Sequence, residues 1–277
     1  MTWSVKVLRA GNFRLDGGSM FGVVPKALWS RLTSPDSSNR IPLQTNCLLL
    51  ENGQHRVLVE SGYGQDWDDK SRKNFALEPR TVKDALEEIG VVSTSITHTI
   101  VTHLHFDHCG GLTELDENGQ SRRVFMNAKC IVQQQEWMDA QDNRSTMSKT
   151  YLANNLSPLE EDLELVDGQH EVLPGLFVWP TPGHTWGHQS VRAHTKTGVV
   201  AFLGDVVPTV NHAPPAFSMG YDMLPWDNMK TKQAALSQAM EEQWQLVLAH
   251  EPNNPWVRVI DDPRSHGRHA FEALETE

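Results

Sequence analysis

A chain of 277 residues with 39% hydrophobic and 21% charged residues has room for a sizeable core in one or two domains. It contains no run of eighteen apolar residues, which excludes a membrane-spanning helix. Its formal net charge of -11 disfavours a nucleic-acid surface, because an acidic field repels phosphate backbones.

The N-terminal stretch MTWSVKVLRAGNFRLDGG has no basic patch followed by an apolar run, so no secretory signal is expected. Arg56-Val57-Leu58-Val59-Glu60 is a short β-branched run closed by Ser61-Gly62 and reads as a strand and turn. Residues 81–90 carry a helix signature: Thr81 as cap, Val82, Ala85, Leu86 and Ile89 on one face, and Gly90 as stop. Strands are predicted over 97–102 and 124–132, then a helix from 133 to about 142. The second half predicts strands over 176–179, 190–194 and 199–203, and a helix over 228–244 with Met229, Leu236, Met240 and Trp244 on one side. A final strand covers 245–249. Two halves of similar content predict two stacked sheets flanked by helices in one domain spanning 1–277.

Three stretches read as long loops, 17–46, 63–80 and 142–161. Such loops in a compact domain are functional or disordered. Met20, Phe21, Trp29, Trp67, Phe75, Met147 and Tyr151 favour folded loops around a pocket over loops that merely cover sheet edges. The cysteines Cys47, Cys109 and Cys130 have no paired spacing, which excludes a disulfide scaffold and fits a reducing compartment, so the cytoplasm is expected.

Thirteen histidines are many, and several are grouped. The run His103-Leu-His105-Phe-Asp107-His108 follows a β-branched strand. On an extended segment residues two apart point the same way, so His103, His105 and Asp107 converge while His108 turns off at the loop. Imidazole nitrogens and a carboxylate suit a borderline cation such as zinc. Further ligand types stand just past predicted strands: His184 in PGHTWGH, Asp205 in FLGD and His250 in LAHE.

The ordered set HLHFDH, PGHTWGH, FLGD and LAHE, preceded by VLVESGYG, resembles the metallo-β-lactamase superfamily in its hydrolase branch. The motifs run from about Leu58 to His250. The resemblance implies an α/β (α+β) fold, the four-layer αββα sandwich of two mixed sheets flanked by helices. It also implies two divalent metal ions, zinc first, with iron or manganese compatible. His103, His105 and His184 would hold one, Asp107, His108 and His250 the other, and Asp205 would bridge them. Two cations roughly 3.5–4 Å apart lower the pKa of bound water from about 15.7 towards 7. A metal-bridging hydroxide would then attack a small ester-like substrate, a lactone first, with Asp107 taking a proton. A phosphotriester or thioester stays open as substrate, and a non-catalytic metal-binding scaffold is the reading from another class. A homodimer is implied by the resemblance and by the apolar N-terminal loop.

The sequence departs from the family pattern at two places. Glu60-Ser61-Gly62 stands where Asp-Thr-Gly is usual, and Glu60 either accepts a ligand histidine's other N–H or is a surface carboxylate. Pro208 stands where many lactonases of the family carry a tyrosine, leaving Tyr221, His212, Tyr63 and Tyr151 as replacements or packing residues. His188 resembles a structural histidine, Cys109 reads as buried filler, and His266-Gly-Arg-His269 reads as a solvated tail.

Overall fold

Alternation along the strands sorts their side chains into three apolar layers. Leu48 and Leu50 pack in one cluster while Cys47 and Leu49 pack in another, and all four are buried. Val57 and Val59 part from Leu58 in the same way, and Ile131 from Cys130 and Val132. In the second half Val200 and Phe202 face one layer and Ala201 the other. A strand has a period of two, so burial on both sides marks a sheet covered on both faces. The computed structural model describes residues 2–147, 150–265 and 268–275.

The first sheet has six strands in the order Ser4–Asp16, Arg40–Glu51, Arg56–Val59, His98–Ile100, Lys129–Gln133 and Leu163–Val166. Its last four strands run parallel. The second has seven: His269–Ala273, Trp256–Asp261, Gln245–Val247, Gly198–Phe202, Gln189–Thr195, Leu176–Pro180 and His170–Leu173. The central layer of Leu48, Val59, Ile100, Val191, Phe202 and Val247 lies between the sheets. Helices Val82–Glu87 and Gln134–Gln141 cover the outer face of the first sheet, and helix Pro225–Glu241 covers that of the second. Four layers, αββα, result. Each fully buried Leu, Ile, Val or Phe in them contributes about 1.5–3 kcal/mol relative to exposure.

Several predicted boundaries move. The strand Ser4–Asp16 had no counterpart in the sequence reading. The predicted loop 17–46 holds helical turns Gly17–Phe21 and Lys26–Trp29 and the start of strand Arg40–Glu51. That strand is buried on both faces from Leu43 to Leu50, so it shows no polar alternation, and Pro42 and Asn46 look like loop residues. Loop 63–80 contains helix Asp69–Phe75, and loop 142–161 contains Ala153–Leu156 and a 3-10 segment Ser157–Asp162. The strand predicted over 124–132 starts only at Lys129: Val124 donates its N–H back to Leu112, and Ala128 donates to Phe125 in a turn.

Thr81 does cap its helix, in a reciprocal pairing with Asp84, but Ile89 lies past the end and is exposed. The last helix begins at Pro225. Its buried stripe is Asn228, Lys232, Ala235, Leu236 and Ala239, with Met229 and Met240 half-buried beside it. The expected tail is also corrected: Trp256–Asp261 and His269–Ala273 are strands, while His266 lies outside the described residues. Among the described residues no helix is long and apolar enough to cross a membrane.

Candidate metal centre

The site gathers where strands of both sheets end. His103 and His105 follow His98–Ile100, and His184 and His188 lie in the turn after Leu176–Pro180. Asp205 follows Gly198–Phe202, and His250 follows Gln245–Val247. Gln189 fastens the two sheets here: its N–H donates to Thr102 O at 2.9 Å and its Nε2 to Val101 O at 2.8 Å.

The expected extended segment stops at His105. Phe106–Cys109 is a single helical turn, so Asp107 and His108 are brought in by helical rather than strand geometry. All seven predicted ligands are buried and fall into three overlapping groups: His103, His105 and His184; His103, His108 and Asp205; Asp107, His108 and His250. Within each group one ligand atom per residue lies within 4.8 Å of the others. The Asp205 carboxylate is central, with Oδ2 3.3 Å from His184 Nε2 and Oδ1 3.1 Å from His250 Nε2 and 3.5 Å from His108 Nε2. Asp107 Oδ2 lies 3.6 Å from His250 Nε2.

Imidazole nitrogens face one another, His184 Nε2 to His105 Nδ1 at 3.0 Å and His250 Nε2 to His108 Nε2 at 3.2 Å. Among the described residues, buried His103 Nε2 and His105 Nε2 have no hydrogen-bond partner. Buried polar atoms are rarely left so, and converging lone pairs around carboxylates are what a cation satisfies. The donor set fits divalent metal ions. Burial, reinforced by the neighbouring imidazoles of His108, His105 and His184, holds His103 well below its ordinary pKa, in the neutral form that can ligate. Burial alone would raise Asp205, but His250, His108 and His184 hold its carboxyl well below the ordinary range. Burial likewise would lower His108, yet Asp205, Glu60 and Asp107 carry it well above. The cavity draws positive charge.

The outward nitrogens are held in turn. His103 Nδ1 meets Thr102 Oγ1 at 3.0 Å, His108 Nδ1 meets Glu60 Oε2 at 3.1 Å, and His250 Nδ1 meets the carbonyl of Gln44 at 3.0 Å. His184 Nδ1 meets Asp222 Oδ1 at 2.9 Å. Such partners fix tautomer and ring orientation and raise ligand basicity. Glu60 is therefore no surface carboxylate; its Oε1 also accepts from the Thr102 N–H at 2.8 Å. It sits at a left-handed φ of 65°, uncommon outside glycine. His188 is structural, with Nδ1 at Thr181 Oγ1 and Nε2 accepting the Asp205 N–H at 3.2 Å. Cys109 is buried filler, its thiol pushed up by burial.

Asp222 and Glu136 were missed by sequence reasoning. Glu136 is buried in helix Gln134–Gln141 and accepts from Leu104 N at 2.9 Å, Thr185 Oγ1 at 2.6 Å and Tyr151 Oη at 3.1 Å. It thereby ties both histidine loops together. The only sequence signal for either is a carboxylate set among aromatic and apolar neighbours. Of the four residues weighed against Pro208, Tyr63 donates to backbone carbonyls of Asn12 and Glu78, and Tyr151 donates to Glu136. His212 has both nitrogens engaged, by Thr209 and the carbonyl of Met20. Tyr221 is half-buried against the aromatic cluster of Trp67, Phe75, Phe106 and Phe21 beside the centre. In that cluster Phe106 lies 5.0 Å from Trp67 and 5.5 Å from Phe75, centroid to centroid.

Residues 40–250 match the family described as the metallo-beta-lactamase superfamily. An N-acyl homoserine lactonase of Bacillus sp. is 31% identical over 171 residues, covering 57% of this chain and 62% of that one. One from Bacillus cereus is 29% identical over 179 residues, covering 60% and 65%. The match thus spans under two thirds of these curated relatives. A probable metal-dependent hydrolase from Staphylococcus aureus superposes with a TM-score of 0.87 at 28% identity, over 99% of this chain and 98% of that one. AidC, a dizinc quorum-quenching lactonase in complex with a product, shares the fold at a TM-score of 0.80 and 17% identity, over 99% and 95%. By its family match and its αββα fold, the chain belongs to the metallo-beta-lactamase superfamily.

Proposed function

We propose that this protein is a dinuclear metal-dependent hydrolase that opens lactones. The observation that carries the reading is the buried cluster of five imidazoles and two carboxylates with facing, unpartnered nitrogens. The N-acyl homoserine lactonases among its relatives support the lactone as substrate class. In this reading His103, His105 and His184 would hold one cation, Asp107, His108 and His250 the other, and Asp205 would contribute to both. Such a pair supplies Lewis acidity and makes bound water acidic near neutral pH. The chain does the rest. Glu60, Asp222, Thr102 and the Gln44 carbonyl orient the imidazoles, and Asp107 takes the proton released by the attacking water. The aromatic cluster around Phe106 excludes water and receives the apolar part of the substrate.

The same reading takes zinc as the metal, one domain over residues 1–277, the cytoplasm as compartment and a homodimer as assembly. Three buried free thiols support a reducing compartment, and exposed Val23, Leu28 and Leu32 on the N-terminal segment support self-association.

The test is acid release, followed with a pH indicator, from a panel of lactones, aryl esters, thioesters, β-lactams and phosphotriesters. Selective lactone turnover abolished by a chelator is the expected result. Selective phosphotriester or thioester turnover would move the substrate class, and silence with both metals bound would favour the scaffold reading.

A further inference from the structure

A lysine stands in the middle of an apolar helix face. Lys232 lies in the buried stripe of helix Pro225–Glu241, between Asn228 and Ala235, and is 1% exposed. Burying an ammonium is costly unless its charge and N–H groups are used. Its Nζ donates to the carbonyl of Phe217 at 2.9 Å. One turn earlier on the same stripe, Asn228 Nδ2 donates to Asp222 Oδ2 at 2.8 Å. A single helix face therefore grips the loop after Asp205 at two points, Phe217 and Asp222.

Each end of that loop reaches the site differently. Asp222 also accepts from its own loop, at Met219 N, and presents its other oxygen to His184 Nδ1 at 2.9 Å. Phe217 packs edge-on against Phe21, with centroids 5.9 Å apart, and Phe21 stacks on His212 at 4.9 Å. Burial lowers the Lys232 amine to about 8, partly offset by the Asp222 carboxylate. The imidazole of His212 is driven to about 4 by burial and then by the Lys232 charge.

We propose that Lys232 is a positioning residue that acts on the hydrolytic site by holding the Phe217 carbonyl: its N–H fixes the loop that runs on to Asp222, the partner of His184, and keeps Phe217 in the wall of the substrate pocket. The effect on substrate rests on the hydrolase reading above; the effect on His184 does not.

The test compares wild type with Lys232→Met, which keeps length without charge or donor, and Lys232→Gln, which keeps a donor without charge. Folding is checked by circular dichroism. Zinc affinity is measured by competition with a chromophoric chelator, and KM and kcat are measured on a lactone with an apolar tail. In Lys232→Met zinc affinity should fall about tenfold, as for loss of support around a ligand. KM should rise several-fold, with kcat of the loaded enzyme within about twofold. Lys232→Gln, which can still donate to the Phe217 carbonyl, should recover both.

Wild-type affinity and KM in Lys232→Met would overturn the proposal, as would equal losses in both variants that follow stability alone. If Lys232→Met does not fold, Lys232→Gln decides: zinc affinity and KM near wild type support the proposal, and loss of both in a folded variant overturns it. Weakened zinc binding in Lys232→Met without turnover of any substrate by wild type would count against the hydrolase reading and leave the effect on His184 standing.

Discussion

Glu60 reaches across the end of the first sheet to His108, Oε2 to Nδ1 at 3.1 Å, with both side chains out of solvent. Its extra methylene, relative to the aspartate usual there, is accommodated by the left-handed backbone at φ 65°. Glu60→Gln keeps the size and removes the charge, so one cation should be bound about 10–100-fold more weakly. Metal content after dialysis, against wild type, checks this. Two tightly held ions in the variant would mean that Glu60 serves the backbone at Thr102 rather than the ligand.

Asp205 approaches three of the histidines proposed as ligands at 3.1–3.5 Å. Asp205→Asn should abolish simultaneous occupancy and cut turnover by more than about 100-fold, exceeding the usual loss from an outer partner. Turnover near wild type would remove Asp205 from the bridging role.

Acid should strip the centre in order. Burial opposes charge on His108 and His250, but Asp205 raises both above the ordinary 6.5, with Glu60 adding to it at His108. Burial first, then neighbouring imidazoles, holds His103 and His105 well below it, so that His184 alone of that group is raised, against its burial, by Asp205 and Asp222. A cation must displace protons from raised groups, so affinity falls as pH falls, and falls first where His108 and His250 ligate. Metal content after dialysis at about pH 7, 6 and 5 should show loss of one ion before the other. The metal-free protein should behave oppositely. Its raised imidazoles contribute stability fully below their unfolded pKa, and that stability is lost as pH rises through the folded values. Urea midpoints of the metal-free form that climb as pH rises above about 6.5 would contradict this; below it the depressed His103 and His105 act with the opposite sign, their cost growing as pH falls.

Glu136 accepts three hydrogen bonds in a dry place. Glu136→Leu leaves the Leu104 N–H and the hydroxyls of Thr185 and Tyr151 unpartnered, at about 1–3 kcal/mol each where they stay buried. A drop of about 3 kcal/mol or more in the urea-extrapolated stability is expected, whatever the metal content.

Gly204 has φ 52°, and a Cβ there would lie 2.7 Å from His188 Nε2 and 2.8 Å from Thr102 Oγ1. Gly204→Ala should therefore destabilise the fold and displace the neighbouring Asp205. A lowered Tm together with weakened metal binding is the expected pair, and weakened binding should be absent if the strain is absorbed elsewhere.

The proposed ligands were legible because they are dense in sequence, as His103 to His108 are, or stand alone just past predicted strands, as His184, Asp205 and His250 do. Their supports were not. Asp222 and Glu136 sit on elements whose own periodicity says nothing of the site, and only tertiary packing aims them inwards. The strands Ser4–Asp16 and Arg40–Glu51 escaped for a different reason. The second is buried on both faces over most of its length, which erases the alternation by which half-buried strands are recognised. Lys232 shows the converse, since a charge on a helical stripe reads as solvated face until the loop beneath it is seen.

Asn46 donates to the carbonyls of Leu248 and Glu251, 202 and 205 residues further on, and so helps seat His250. The last ligand is thus delivered by one of the longest closures in the chain. Pairings of such separation form late, because loop-closure entropy opposes them until much of the core exists. During synthesis the early cluster of His103, His105, Asp107 and His108 emerges well before His250, and meets its partners only when the second sheet docks. The proposed cage would therefore act as a proofreader of folding: a chain that has not closed its two sheets lacks the geometry to retain the ions.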